Sequence, residues 1–211
     1  GESHDGIKIL DNNCVPGTAL KKLYNPYQDY IYEIGLTPNR MDAMSHLGVA
    51  RDVWAYLSFH QKKQATVKSP WIENVNINSA ENNIIVSIEK NEACSRYCGV
   101  SISGIIVAES PLWLQQKLKS IGLKPINNIV DITNFILHET GQPLHAFDAD
   151  QIKGNKIIVK TVAEGTLFKT LDEKERKLSE NDLMICDEAG PLCIAGVYGG
   201  LNSGVTLKTT S

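Results

Sequence analysis

The sequence predicts an α+β fold: a small helical domain with short strands, followed by a larger mixed α/β domain. Three observations support this class. An apolar stripe recurs at helical spacing early in the chain, residues 64–83 lack a periodic pattern, and short apolar runs then alternate with two helical segments. We therefore place one domain with its linker at residues 1–84 and a second at residues 85–211.

Composition and charge narrow the functional classes. The chain has 211 residues, of which 42% are hydrophobic and 21% charged, as in ordinary globular proteins. A net charge of -3 excludes a uniformly basic surface that coats nucleic acid but allows a local basic patch. No apolar run approaches the roughly 18 residues of a membrane span. Five scattered cysteines predict reduced thiols in a cytoplasmic protein, not a zinc site or a disulfide scaffold: Cys14, Cys94, Cys98, Cys186 and Cys193.

In the first part of the chain, the pattern predicts two short strands and one helix. The segments "HDGIKIL" (4–10) and "DYIYEIGL" (29–36) alternate in polarity as strands do. Ser45 is suited to cap the helix, and Lys62 and Lys63 suit the negative end of its dipole. The apolar residues that recur at helical spacing are Leu47, Ala50, Val53, Trp54 and Leu57.

In the second part, several segments have the composition of strands. The segments "NIIVSIEK" (83–90) and "RYCGVSISGIIV" (96–107) come first. Five shorter strands are predicted near the end of the chain, and tight turns at "DEKE" and "EAGP" separate some of them. These five are "KIIVKTV", "TLFKTLD", "RKLS", "DLMICD" and "LCIAGV".

Two helices are predicted between these groups of strands. In "SPLWLQQKLKSIG", Ser110 is at the cap, Pro111 at the first helical position and Gly122 at the stop. The second helix, "NNIVDITNFILHETG", ends at Gly141.

One polar cluster stands out as a candidate site. In "HETGQPLHAFD" (138–148), His145 follows the stiff turn at Pro143, and the preceding helix carries Thr133 and Asn134. These are neutral hydrogen-bonding side chains with no carboxylate nucleophile among them. From the residues alone, a hydrogen-bonded turn histidine is the favoured interpretation, and a reaction site is the alternative.

The glycine-rich segment "GVYGGLNSG" (196–204) matches neither a dinucleotide-binding fingerprint nor a phosphate-binding loop. Spacing alone favours a tight turn after a strand. The alternative is that Gly199 and Gly200 allow backbone amides to approach a ligand closely. Arg40 and Arg51 could meet nucleic-acid phosphates, although a solvated helix face is the commoner outcome.

Three longer stretches carry a family resemblance. They are "TPNRMDAMSHLGVARDV", "INNIVDITNFILHETGQPLHAFDAD" and "IAGVYGGLNSGV". In order and spacing they closely resemble the bacterial beta subunit of phenylalanyl-tRNA synthetase. The resemblance implies a piece of that subunit, with a small helical domain followed by the first part of its central editing domain.

The resemblance implies a function and partners. The whole enzyme of this family is an α2β2 assembly with an alpha subunit, and it joins phenylalanine to tRNA using ATP and magnesium. The beta subunit's central domain hydrolyses tyrosine that has been wrongly attached. The resemblance places the ATP and magnesium residues outside this piece, so no cofactor is expected here.

The resemblance also assigns residues and reverses the interpretation from spacing. Thr133 and Asn134 match the family's Thr-Asn pair that lines the editing pocket. His145 matches its editing histidine, which orients the ester end of the tRNA or a water molecule. Gly199 matches a glycine at the pocket wall.

In this family, a tyrosine-reading glutamate follows the segment that matches "SGVTLKTTS". This sequence stops before that glutamate, so we expect that the piece alone does not hydrolyse Tyr-tRNA. Because the sequence starts at Gly1 and not at Met, and stops in the polar segment "GVTLKTTS", we also expect that both of its ends are cut. Two alternatives stay open: a non-catalytic module that binds RNA or braces the tetramer, and a freestanding RNA-binding protein with an editing-like fold.

Overall fold

A computed structural model describes residues 6–7, 9–24, 27–64, 66–71 and 83–211. Among the described residues, the helices precede all of the strands but one, which confirms the predicted α+β class. The chain divides into two compact units, Gly1–Glu33 and Ile34–Ser211. The domain division predicted near residue 85 stays a prediction.

The first unit contains one short helix, α1 (Leu20–Leu23), among its described residues. The predicted strand 4–10 lies partly outside those residues. The predicted strand 29–36 is wrong, because these residues pair with no other strand in the described part of the chain. Tyr30 is 88% exposed and Tyr32 is 80% exposed, so the alternating pattern here has neither a partner strand nor a core to cover.

The helix predicted in the first part of the sequence is α2 (His46–His60), which lies in the second unit. The predicted cap is confirmed, since Ser45 Oγ accepts a hydrogen bond of 3.0 Å from the backbone N–H of Gly48. A short 3₁₀ turn, Met41–Ala43, lies against the first turn of α2, where a side chain at position 48 would collide with the backbone.

The two predicted helices of the second part are α3 (Leu112–Ser120) and α4 (Asn128–Thr140). The predicted cap of α3 is wrong. The hydroxyl of Ser110 donates to the buried carboxylate of Asp131 at 2.5 Å, and Pro111 occupies the cap position without a side-chain bond. A buried carboxylate needs donors, and this need outweighs the local capping preference.

Helix α4 begins and ends with regular caps. The side-chain oxygen of Asn127 accepts from the backbone N–H groups of Ile129 and Val130. Gly141 ends the helix with φ 81°, as predicted. His46 at the start of α2 donates from Nδ1 to the carbonyl of His138, 2.9 Å away, and so joins the two helices.

The described residues form one five-stranded sheet and one separate two-stranded hairpin. The sheet has the order β1 (Ile85–Ile88), β2 (Lys156–Thr161), β5 (Leu183–Cys186), β6 (Pro191–Ile194) and β7 (Tyr198–Gly199), and the hairpin joins β3 (Leu167–Lys169) to β4 (Glu175–Lys177). Strands β1 and β2 are parallel, and every other pair is antiparallel. The five predicted short strands are confirmed. Strand β7 was predicted only as a turn.

Alternation along the strands divides the core into two clusters. Ile158 and Met184 pack on one face with Phe168 of the hairpin. Ile157 and Ile185 pack on the other face. The sheet is therefore covered on both sides, which gives the loops at its edges fixed positions.

The predicted strand 96–107 is wrong, because this segment is irregular along its whole length. Tyr97 packs against the sheet, but the hydrogen bonds of the last residues of the segment go to residues outside the sheet. The backbone N–H of Ile105 donates to the carbonyl of Thr210 at 3.1 Å. The side-chain amide of Asn128 donates to the carbonyl of Ile106 at 2.9 Å and accepts from the N–H of Ala108 at 3.2 Å. These bonds satisfy the backbone groups at the end of the segment without a strand partner.

We expect Gly200→Ala to lower the free energy of unfolding by about 1–3 kcal/mol, because an added Cβ overpacks the core. That Cβ would lie 2.6 Å from the carbonyl oxygen of Leu192 and 2.8 Å from Cζ of Phe168. Gly35→Ala is the matched control, since position 35 has nothing within 4 Å. Urea unfolding followed by circular dichroism measures both variants, and equal stability losses would contradict the packing.

Candidate functional site

His145 lies in the connection that follows α4, three positions before a buried carboxylate. Asp148 is 6% exposed. Its Oδ2 accepts a hydrogen bond of 2.7 Å from the hydroxyl of Thr209, and its Oδ1 accepts one of 3.1 Å from the backbone N–H of Asp150. Phe147 also forms a β-bridge with Gly204. The segment that carries His145 is therefore fastened to the last residues of the chain.

The structure brings His145 and Gly199 together. A Cβ added at position 199 would lie 2.5 Å from Cε1 and 3.2 Å from Nε2 of His145, and 3.0 Å from Cδ1 of Leu171. Gly199 is buried, and its backbone does not require positive φ. Glycine is therefore needed here for space and not for backbone conformation.

The imidazole of His145 is partly covered. Its centroid lies 4.5 Å from that of the Phe147 ring, in an edge-on arrangement. The residue remains accessible to solvent, yet burial of the ring lowers the pKa of His145 below its ordinary value. The neutral ring can accept a hydrogen bond or a proton from a molecule beside it.

The β3–β4 hairpin holds Gly199 in place. Leu171 donates from its backbone N–H to the carbonyl of Gly199 at 3.0 Å, and Thr170 forms a β-bridge with Gly200. The fully buried hydroxyl of Thr170 is bonded to Asp172, and this bond is the main cause of the lowered pKa of Asp172.

Sequence reasoning missed this network. Arg176 donates to Thr170 Oγ1 and to Asp172 Oδ2, each at 3.1 Å. Its guanidinium lies 5.9 Å from the ring centroid of Tyr198, the residue before Gly199. One feature of the sequence could have indicated this network. In "TLDEKER" (170–176), a threonine precedes an aspartate and an arginine that are four positions apart across a predicted turn.

The structure does not link the other two predicted site residues to this pair. Thr133 and Asn134 lie on α4, and both are half-buried. The hydroxyl of Thr133 donates to the carbonyl of Val130 at 2.7 Å. No hydrogen bond joins Thr133 or Asn134 to His145 within the described ranges. Their place in a common pocket stays a prediction.

Other polar groups are engaged or shielded. Arg40 donates to the carboxylates of both Asp42 and Asp52, at 2.8–3.0 Å. Burial raises the pKa values of Cys186 and Cys193 to about 11, as expected for unreactive core thiols. Among the described residues, no group of three or more His, Cys, Asp or Glu side chains could hold a metal ion. None of the helices described here has the length and hydrophobicity that crossing a membrane requires.

We expect His145 to titrate with a midpoint below about 6.5, the ordinary value for histidine. Because burial lowers its pKa in the folded chain, the unfolded chain binds more protons as the pH falls. Above the unfolded-state pKa the ring is neutral in both states, and its contribution to the free energy of unfolding is fully present. That contribution is lost as the pH falls through the folded-state pKa. The Cε1 proton signal, assigned with His145→Gln and followed by NMR against pH, measures the midpoint. The denatured chain is the reference, and an equal midpoint in both states would contradict the burial.

Comparisons with known proteins agree with the sequence resemblance. The model of the B3/4 domain family matches residues 93–211. The beta subunit of phenylalanine–tRNA ligase from Bacteroides fragilis is 55% identical over 210 residues, and that from Porphyromonas gingivalis is 52% identical over 211. Each alignment covers 100% of this chain but 26% of the relative, so the chain spans about a quarter of their length.

A structural comparison adds a weaker likeness. It is to the crystal structure of an N-terminal fragment of the phenylalanyl-tRNA synthetase beta subunit from Pyrococcus horikoshii. The alignment includes 82% of this chain and 50% of that fragment. The identity is 19% and the TM-score is 0.37, too low to establish a common overall fold. The match of the family model over more than half of the sequence shows that this chain belongs to the B3/4 domain family.

Proposed function

We propose that the chain is part of the beta subunit of a phenylalanine–tRNA ligase and contributes to the hydrolysis of wrongly formed Tyr-tRNA. The contact between His145 and Gly199, inside the region that the B3/4 model matches, carries this proposal. The division at residue 85 is part of it, and the start of the matched region at residue 93 supports that division.

The proposal includes the whole enzyme. It would attach phenylalanine to its tRNA with ATP and magnesium. It would act in the cytoplasm as an α2β2 assembly of alpha and beta subunits. The 55% identity to a ligase beta subunit over the full chain supports this part. ATP and magnesium would serve the synthetic reaction, which is assigned to the alpha subunit.

Chemistry explains why such an enzyme needs a second site. Tyrosine differs from phenylalanine by one hydroxyl group, and an apolar pocket rejects an added hydroxyl by only about a hundredfold. A site that hydrogen-bonds the phenol discriminates better, because bound phenylalanine would leave the buried polar groups of that site unpaired. Neutral hydrogen-bonding side chains are therefore the right components for the site.

His145 would act at the ester. Its neutral ring can accept a hydrogen bond from a water molecule and direct that water at the ester carbon. The aminoacyl ester is already activated, so holding water in line supplies much of the required effect. Because Gly199 has no side chain, its backbone can lie beside the imidazole edge that carries Cε1 and Nε2 without displacing the ring.

Thr133 and Asn134 would line the tyrosine pocket in this proposal, together with the tyrosine-reading glutamate that the resemblance places beyond this piece. The Thr133 hydroxyl donates its hydrogen bond to the carbonyl of Val130, so its oxygen can act only as an acceptor toward a ligand. A tyrosine hydroxyl can donate to such an oxygen, whereas phenylalanine cannot. The amide of Asn134 can both donate and accept.

In the full-length enzyme, we expect His145→Ala to slow the deacylation of Tyr-tRNA by about a hundredfold or more, the usual contribution of a positioned acid–base group. Gly199→Ala should slow it by at least about tenfold, because the added methyl group displaces the imidazole. Release of labelled tyrosine from Tyr-tRNA measures both effects.

Formation of Phe-tRNA is the control and should be unchanged in both variants. Gly35→Ala, where a Cβ meets open space, is the matched glycine control. Unchanged proofreading in His145→Ala would favour the non-catalytic alternative, a module that binds RNA or braces the tetramer.

A further inference from the structure

The second half of α2 presents a group of exposed rings. Tyr56 is 57% exposed and Phe59 is 69% exposed. The ring of His60 contacts both, with centroids 4.9 Å from each. Positions 56, 59 and 60 lie on one face of a helix, since residues three or four apart are neighbours. The rings therefore form one small aromatic surface and not scattered side chains.

A lysine at the helix end is folded back over this surface. Lys62 adopts φ 52°, a left-handed conformation that is uncommon for residues other than glycine. The backbone N–H of Lys63 then donates to the carbonyl of Leu57 at 3.1 Å. In this conformation the ammonium group of Lys62 lies 5.0 Å from the centroid of the Phe59 ring. Exposed rings and cations are thereby held side by side.

The surroundings of these rings are basic in an otherwise acidic chain. Residues 53–71 contain three lysines and no aspartate or glutamate, whereas the whole chain has a net charge of -3. No ion pair joins Lys62 or Lys63 to a carboxylate in the part of the chain that the structure describes. Asp52, the acidic residue that precedes this stretch, is paired with Arg40 at 2.8 Å.

We propose that this aromatic–basic surface, consisting of Tyr56, Phe59, His60, Lys62 and Lys63, binds single-stranded RNA. Bases would stack on the two exposed rings, and the ammonium groups of the lysines would meet the adjacent phosphates. The choice of RNA as the nucleic acid rests on the proposed function. The recognition itself rests on stacking and charge, and it is independent of His145.

The composition of the surface favours RNA over a membrane or an apolar protein partner. Phe59 is its one fully apolar side chain, whereas a helix that lies in a lipid surface needs a broad apolar face. The side chains of Tyr56 and His60 carry polar atoms, which suits interaction with the hydrated, anionic backbone of RNA. The two lysines, which pair with no carboxylate of the described residues, complement phosphate charge.

Fluorescence anisotropy of the 211-residue chain with a labelled oligoadenylate of about twelve nucleotides tests this proposal. We expect Tyr56→Ala/Phe59→Ala to bind at least about tenfold more weakly, with an unchanged salt dependence. For Lys62→Ala/Lys63→Ala, the plot of log affinity against log salt should become less steep. The magnitude of its slope should fall by about 0.7 for each phosphate that the variant no longer neutralises. Phe59→Trp should retain binding.

The matched charge control is Lys124→Ala/Lys208→Ala, which removes two exposed lysines elsewhere. It should bind like the unaltered chain, and circular dichroism should show that all variants are folded. The proposal is wrong if the unaltered chain does not bind at low salt, if the control loses as much affinity as the Lys62/Lys63 variant, or if vesicles with anionic lipid bind and the RNA does not. His145→Ala should bind RNA normally, so a failure of editing and a failure of this surface are distinguishable.

Discussion

The position of His145 depends on the buried carboxylate of Asp148. A carboxylate that is shielded from water must be surrounded by hydrogen-bond donors, because an unpaired buried charge is strongly destabilising. Here one donor is local, the N–H of Asp150, and the other is the hydroxyl of Thr209, 61 positions away in sequence. The requirement for donors thus fixes a short turn against the far end of the chain, and with it the backbone that leads to His145 three residues earlier.

The candidate site arises where this fixed turn meets a second fixed backbone. The β3–β4 hairpin holds β7 through the bond from Leu171 to the carbonyl of Gly199. With both backbones in place, the side chains of His145 and Leu171 leave no room for a Cβ at position 199. Burial of the ring lowers the pKa of His145, and the close approach of Gly199 is one of the contacts at the edge of that ring. Packing and acid–base chemistry are therefore linked at this site.

The helices could be predicted from the sequence because a helix satisfies its own backbone. Ser45 and Gly141 act at the ends of α2 and α4 as local rules require. A strand needs a partner that its own sequence does not reveal, and so the segment 96–107 has the composition of a strand but forms irregular structure. Ser110 shows the same limit, since the distant carboxylate of Asp131 takes the hydroxyl that local pattern assigns to a cap.

The same distinction applies to the surfaces of α2. Helical spacing correctly identified an apolar face, but it did not show what covers that face. Its residues line an open groove of about 380 Å³ beside Pro70 and Glu139. At the candidate site, spacing separated His145 and Gly199 and favoured a structural role for each, whereas the fold places them in contact. Local pattern thus determines which atoms are available for an interaction, and only the long-range contacts of the folded chain determine which of them meet.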